Sequence, residues 1–301
     1  MATFTTAEDA AGQLRLLLEP YTYTCEMPGK NVRRHMVDAF QLWLHTPEQA
    51  LVEIKTIVDE LHNASLLIDD IEDNSELRRG RPVAHHIYGV PATINCANYV
   101  YFASLQRCQS LGSERAMNVY IKEMLALHQG QGLDIFWRDH WQCPTEDEYI
   151  DMVKKKTGGL FHLAVGLMQA FSTCALDFAP LLDALAVYFQ IRDDYVNLLD
   201  DAYMENKSYC EDLTEGKFSY PLLLAIRADP QDTRLMSILK QRTKNVELKR
   251  YAVAYMKDTG ALERTRAKLD DLLAEIRREV AHLGGNAPLE AIVEKLHASL
   301  K

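Results

Sequence analysis

No stretch of this sequence approaches the ~18 apolar residues that a membrane span requires. Cysteine is sparse. Cys25, Cys96, Cys108, Cys143, Cys174 and Cys210 are scattered with no C-x-x-C pair, so neither a zinc site nor a redox dithiol of the usual spacing is expected. Basic residues are in deficit, 33 Lys and Arg against 43 Asp and Glu, and the formal net charge of -10 argues against nucleic acid as a partner. It leaves room for a phosphate-bearing substrate held by a few placed cations. No Pro/Gly/Ser-rich linker, low-complexity segment or change of composition divides the chain. A prior of about 150 residues per domain would allow two domains, but the expectation is one, over residues 1–301. Met1 to Leu18 carries Glu8 and Asp9 and no basic leader, and sparse cysteines fit a reducing compartment, so the cytosol is the expected location.

Apolar residues at helical spacing are abundant. Leu51, Ile54, Ile57, Val58, Leu61, Leu67 and Ile68 form the i, i+3, i+4, i+7 stripe of a buried helix. Similar patterns run over 6–19, 31–45, 92–111, 114–132, 146–173, 180–201, 218–228, 233–242, 247–257, 261–283 and 288–299. Breakers separate them, among them Pro28-Gly29, Pro47, Gly80 with Pro82, Gly89 with Pro91, Pro144 and Gly284-Gly285. No alternating strand pattern stands out. The spacing therefore predicts an all-α helical bundle of about ten or more helices.

Two of the apolar segments lead into acidic clusters with the same spacing. Asp69, Asp70 and Asp73 are echoed by Asp193, Asp194 and Asn197. Positions 69 and 73 lie one turn apart and share a helix face. Carboxylates crowded at a helix C-terminus repel one another and meet the negative end of the macrodipole. A hard divalent cation relieves both costs, and magnesium takes one or two carboxylates together with phosphate oxygens and water. One cluster alone would as readily be a solvated helix end; the matched pair favours metal. Arg78, Arg79 and Arg81 follow the first cluster around Gly80. Acidic metal ligands beside an arginine loop suit a metal–diphosphate complex, because guanidinium groups take phosphate oxygens in pairs.

These strings, "LLIDDIEDNSELRRGRPVAHHIYGVP" and "YFQIRDDYVNLLDD", resemble the two aspartate-rich motifs of the trans-isoprenyl diphosphate synthases, with wording nearest the animal and fungal geranylgeranyl diphosphate synthases. "LHQGQGLDIFWRDH", "KKKTGGLFHLAVGLMQ" and "ENKSYCEDLTEGKFSYP" carry the same resemblance, which spans Pro28 to Pro221. It implies a helical bundle of the isoprenoid synthase type, with both motifs facing a central cavity. The implied activity condenses farnesyl diphosphate, or a shorter allylic diphosphate, with isopentenyl diphosphate. Three magnesium ions and a homo-oligomer, at least a dimer, are implied as well. By resemblance Asp69, Asp70, Asp73, Asp193 and Asp194 are the metal set, with Asp69, Asp73 and Asp193 as direct ligands. Arg78, Lys156, Lys207 and Lys217 take the allylic diphosphate, and Thr157 and Gln190 lie near the developing allylic cation. Lys30, Arg33, His62 and Arg79 form the isopentenyl diphosphate pocket. Asn197 stands where many relatives have a third aspartate, which puts a metal role for that position in doubt.

Each of these positions has a plainer reading. His62 on an apolar helix can be a satisfied core residue, Lys30 and Arg33 first-turn surface charges, and Tyr101 and Phe102 simple core. A terpene cyclase would use the same acidic motifs but has no need of a second diphosphate pocket. A non-catalytic partner subunit typically loses the motifs. A farnesyl diphosphate synthase differs in pocket depth. One turn before Asp69, about 5.4 Å along the helix, stand the small residues Ala64 and Ser65. The resemblance then puts the pocket floor deeper, at Tyr101, Phe102 and His128, and implies a C20 product.

Overall fold

The computed structural model of the chain describes residues 7–26, 29, 32–199 and 209–300, so Lys30 and Lys207 lie outside the described residues. Sixteen helices and one hairpin make up those residues. α1 (Ala7–Leu17), α2 (Glu19–Cys25), α3 (Val32–Leu44) and α4 (Glu48–Glu72) lead to β1 (Leu77–Arg78) and β2 (Arg81–Pro82). α5 (Ala84–Tyr88), α6 (Val90–Ser110), α7 (Glu114–His140), α8 (Glu146–Lys156), α9 (Gly158–Ala170) and α10 (Ala179–Leu199) follow. The C-terminal part holds α11 (Glu211–Glu215), α12 (Tyr220–Ala228), α13 (Arg234–Lys240), α14 (Val246–Asp258), α15 (Ala261–His282) and α16 (Ala287–Ala298). The all-α class read from periodicity is the class the chain adopts. No helix among the described residues is long and apolar enough to cross a membrane.

Two long helices place the acidic clusters. On α4 the buried positions run Leu51, Ile54, Ile57, Val58, Leu61, Ala64, Leu67 and then Asp70. The three- and four-residue steps of the stripe thus carry a carboxylate into the core, while Asp69 and Asp73 stand at its rim. Truncating a residue such as Leu61, 2% exposed, to alanine would cost about 2–5 kcal/mol. On α10 the buried Val187, Tyr188 and Ile191 continue to Asp194 and Leu198, leaving Asp193 exposed. α10 runs on to Leu199, so the second cluster lies inside its helix, whereas Asp73 is the C-cap of α4.

The lysine-threonine pair sits at a break. Residues 146–173, one uninterrupted apolar pattern, form two helices that meet at Thr157. Thr145 and Glu148 start α8 with a capping box, and Lys154, Lys155 and Lys156 end it, where cations suit the helix dipole. α7 passes so close that a Cβ at Gly130 would lie 2.4 Å from the Lys156 nitrogen. Only glycine admits that approach. α7 continues through Gly130 and Gly132 to His140, eight residues beyond the expected end.

Three short helices and one hairpin were not expected. α2 contains Tyr21-Thr22-Tyr23-Thr24, a poor helix former by propensity, but Pro20 sits in its first turn and the helix packs on α4, α5 and α6. α5 has five residues and α11 another five, too few for a periodic signal. The arginine loop is a two-residue hairpin. Arg79 at φ +54° and Gly80 at φ +77° form its turn, the left-handed pair that matches strand twist. Each strand has two residues, too short for an alternating pattern.

Candidate functional site

At the first cluster the carboxylates are met by the chain's own cations. Arg78 donates to Asp70 Oδ1 from Nε at 2.7 Å, and its second nitrogen lies 2.6 Å from the same oxygen and 3.3 Å from Asp69 Oδ2. Arg138 of α7, 6% exposed, donates to Asp73 Oδ1 at 2.5 Å and to the Glu72 carbonyl at 2.9 Å. Gln131 donates to Glu72 at 2.6 Å and reaches Asp69 at 3.5 Å. Burial and the Asp69 charge push Asp73 up to about 6, against the pull of Lys156 and Arg138. Burial also raises Asp70, and Arg78 offsets this only in part. Two arginines therefore do not neutralise the cluster.

The second cluster is organised around Asp194, which is 1% exposed. Its carboxylate accepts from the Tyr149 hydroxyl, from Gln190 Nε2 at 2.9 Å and from the Tyr220 backbone N–H at 2.7 Å. Lys217 Nζ stands 3.5 Å away and also faces Asp212 at 3.7 Å. Thr157 donates its hydroxyl proton to Gln190 Oε1 at 2.7 Å, so one chain of hydrogen bonds runs from Thr157 through Gln190 to Asp194. Asn197 is buried and accepts from the Asp212 N–H at 3.4 Å, tying the segment that carries Lys217 to α10. Lys156 donates to Asp134 at 2.5 Å. Burial opposes the Lys156 charge, yet Asp134, Asp69 and Asp73 hold it above the usual lysine range. Lys217 is raised in the same way by Asp212 and Asp194.

The third group is basic and contains a neutral histidine. Arg33 donates to His62 Nε2 at 3.0 Å, and since a guanidinium has no acceptor, the His62 proton must be on Nδ1. Burial, then Arg33, Arg79 and Arg78, lower His62 to about 2, so it stays neutral. Burial takes Arg33 down to about 10, still charged near neutral pH, with Asp193 pulling the other way. The structure thus brings Arg33, His62 and Arg79 together, within reach of the field of Asp193.

The chain-length positions separate. Ala64 is fully buried in a small cluster with Leu67, Ala84, Cys96, Ala97 and Val100, and Tyr101 packs on its edge. Ser65 is half-buried, and its hydroxyl bonds the His62 carbonyl at 2.9 Å. The Tyr101 and His128 rings meet edge to face at 6.0 Å. Phe102 is 71% exposed and turned away from Ala64, so it does not line an interior wall within one copy of the chain. The apolar-aromatic pattern could not reveal this, because adjacent residues on a helix point about 100° apart.

Gln131, Asp134, Arg138, Tyr149 and Asp212 were not picked out from the sequence. The α7 trio had a signal: positions 131, 134 and 138 share a helix face, and a polar stripe on a buried helix needs partners. Tyr149 and Asp212 had none, since their partners lie 45 and 15 residues away in the chain.

Asp69, Asp73 and Asp193 offer only carboxylate oxygens, the donors that hard divalent cations take, and the raised Asp73 shows negative charge still to be relieved. The donor set fits magnesium. Among the described residues no three such side chains converge on one point, Asp73 being bonded to Arg138 and Asp69 facing Arg78.

The polyprenyl synthetase family model matches residues 14–256. A geranylgeranyl pyrophosphate synthase of Mucor circinelloides f. lusitanicus is 50% identical over 281 residues, 93% of this chain and 93% of that protein. One of Dictyostelium discoideum is 49% identical over 283 residues, 94% of this chain and 93% of its own. A protein named terpene synthase from Matsumurasca onukii is 53% identical over 280 residues, covering 93% and 92%.

Proposed function

Because the chain belongs to the polyprenyl synthetase family, we propose that it is a magnesium-dependent prenyltransferase that condenses farnesyl diphosphate with isopentenyl diphosphate to give geranylgeranyl diphosphate. The observation that carries this reading is the presence of two basic sets of different make-up. Arg78, Lys156 and Lys217 are wired to carboxylates, whereas Arg33 is bonded to a neutral histidine. The first set suits an ester that must ionise beside metal. The second suits a diphosphate that is only held. Relatives named geranylgeranyl pyrophosphate synthase, about half identical over nearly the whole chain, support the product.

In this reading Arg78, Lys156 and Lys217 face the non-bridging oxygens of the allylic diphosphate and stabilise the charge that grows as the C–O bond breaks. Asp69, Asp73 and Asp193, with Asp70 and Asp194 behind them, would hold three magnesium ions, which would supply Lewis-acid neutralisation of the diphosphate. Thr157 has its proton committed to Gln190, so its oxygen presents a lone pair to the allylic cation. Arg33 and Arg79 hold isopentenyl diphosphate with its alkene toward that cation, and His62 orients Arg33. Attack of the alkene forms the new C–C bond, and a proton then leaves to the departed diphosphate. Lys30 and Lys207 join the two sets by resemblance alone. The apolar bundle keeps water from the cation.

Ala64 leaves room for a C15 primer beside α4, and Tyr101 closes the pocket after one more five-carbon unit, with the exposed His128 meeting it only edge to face. The exposed Phe102, Ile121, Leu125 and Phe136 on α6 and α7 suit burial against a second copy, in keeping with a homo-oligomer. The chain is read as one polyprenyl synthase unit acting in the cytosol. The test is a product assay with magnesium, labelled isopentenyl diphosphate and the C5, C10 and C15 primers in turn. A C20 product is expected. Ala64→Phe should shift it to C15, and Tyr101→Ala should lengthen it. A C20 peak unchanged in both folded variants would refute this account of chain length. A hydrocarbon released without isopentenyl diphosphate would instead align the chain with the Matsumurasca protein's name.

A further inference from the structure

Three consecutive residues of α10 face three directions. Arg192, Asp193 and Asp194 follow one another, so Asp193 lies about 100° round the helix from each neighbour. Asp194 is locked by Tyr149, Gln190, Tyr220 and Lys217. Arg192, on the other flank, is locked as well, by a different part of the chain. Its Nε donates to the Leu296 carbonyl at 3.1 Å and its terminal nitrogen to Ser299 Oγ at 2.7 Å. Leu296 lies in the last turn of α16 and Ser299 is its C-cap.

That end of α16 is a fitting receptor for a cation. A helix leaves its last carbonyls without intrahelical partners and carries partial negative charge there. Arg266 of α15 completes the capture by donating to the Leu300 carbonyl at 3.1 Å. The other end of α16 is fixed to α3, where the Asn286 side chain donates to the Ala39 carbonyl at 2.9 Å and caps α16 through the Leu289 N–H. α16 packs on α3 and α15 and reaches α10 through side chains. It lies beyond residue 256, where the family match ends.

We propose that α16, through Arg192, is the second of two anchors that fix the direction of Asp193, and that Arg192 is a positioning residue for the reaction. The magnitude favours a functional effect. A roll of α10 by 10° moves a side-chain tip about 6 Å from its axis by about 1 Å, and an error of that size at reacting groups can cost about a hundredfold. Beside the packing of Val187, Tyr188, Ile191 and Leu198, Asp194 is the polar anchor of one flank of the helix. Asp193 is exposed, so its direction follows that of the helix. The inference rests on the reading of Asp193 as a group that acts at the diphosphate.

The test compares Arg192→Met, Arg192→Lys and Asp193→Ala in the full chain. Arg192→Met keeps the aliphatic stem and removes both bonds. It should lower kcat and raise the magnesium concentration for half-maximal rate, each about tenfold, the scale of losing an outer support of a metal ligand. The KM for isopentenyl diphosphate should stay within about twofold. In a readout independent of turnover, the rise in Tm produced by magnesium with inorganic diphosphate should shrink in Arg192→Met and partly return in Arg192→Lys. If Arg192→Met fails to fold, Ser299→Ala, which strips one of the two Arg192 bonds together with the Ser299 bond to the Leu296 carbonyl and leaves the charge in place, should shift kcat and the magnesium requirement the same way, about two- to threefold. Arg192→Met, or in its place Ser299→Ala, with a lower Tm but wild-type kcat and magnesium dependence would overturn the anchor while Asp193→Ala remains inactive. An active Asp193→Ala would overturn the reading of Asp193 itself.

Discussion

Asp70 and Asp194 hold equivalent places in the two acidic clusters, second in each and on the buried stripe of its helix, yet their charges are met differently. Asp70 faces one cation, Arg78, which also reaches Asp69. Asp194 accepts from a tyrosine hydroxyl, an amide and a backbone N–H, with Lys217 at longer range. An ionic partner on a two-residue hairpin can be redistributed when a diphosphate arrives. A ring of dipoles rooted in α8, α10 and α12 cannot. The first cluster is therefore the side that adapts, and the second is the frame against which it adapts.

The largest effects test what the clusters share. Asp69→Ala and Asp193→Ala each remove a rim carboxylate that carries little packing. Turnover should fall about a thousandfold, with Tm within about 2 °C of wild type. Near wild-type turnover in either folded variant would break the equivalence of the two rims. The next pair tests what separates them. Asp194→Ala strips the acceptor from Tyr149, Gln190 and Tyr220 and removes one of the carboxylates facing Lys217, so stability should drop about 3–5 kcal/mol. Asp70→Ala leaves Arg78 beside Asp69 and removes a carboxylate whose charge is already disfavoured by burial, so about 2 kcal/mol is expected. Urea unfolding of both variants measures the gap, and equal losses would erase the distinction between adapting side and frame.

The sequence showed more of the frame than of its wiring. The stripe Leu61, Leu67 on α4, continued by three-residue steps through Ala64, carries Asp70 onto the buried face by periodicity. Spacing alone paired the clusters, and resemblance supplied the basic groups, of which Arg33, His62 and Arg79 come together. The partners of Asp194 were not legible. Tyr149 is 45 residues away and Tyr220 is 26, and a contact of that separation leaves no periodic trace. The break at Thr157 stands where α7 passes closely at Gly130, a tertiary fact, and its one local trace is Gly158-Gly159 just after it. Phe102 shows the converse error, where an aromatic doublet read as one wall divides between inside and outside.

The smallest effect concerns the charge that Arg78 and Arg138 leave unbalanced at the first cluster. Asp73 titrates near 6 because burial and Asp69 disfavour its ionised form. Its ordinary carboxyl value is 3.8, so between about 4 and 6 the folded chain binds a proton that the unfolded chain has released. Stability linked to Asp73 is therefore full below pH 4 and is lost as pH rises through 6. Asp73→Asn keeps an oxygen for Arg138 but never ionises. Its Tm should match wild type near pH 4, rise above it between pH 4 and 6, and hold a constant lead beyond. The lead corresponds to about 1–2 kcal/mol, since residual solvent at the rim trims a shift of roughly two units. Magnesium with inorganic diphosphate should abolish the lead by stabilising wild type selectively. A lead already present at pH 4 and constant above it would mean that burial and Asp69 place no load on Asp73, and that the contrast between the two clusters is one of geometry alone.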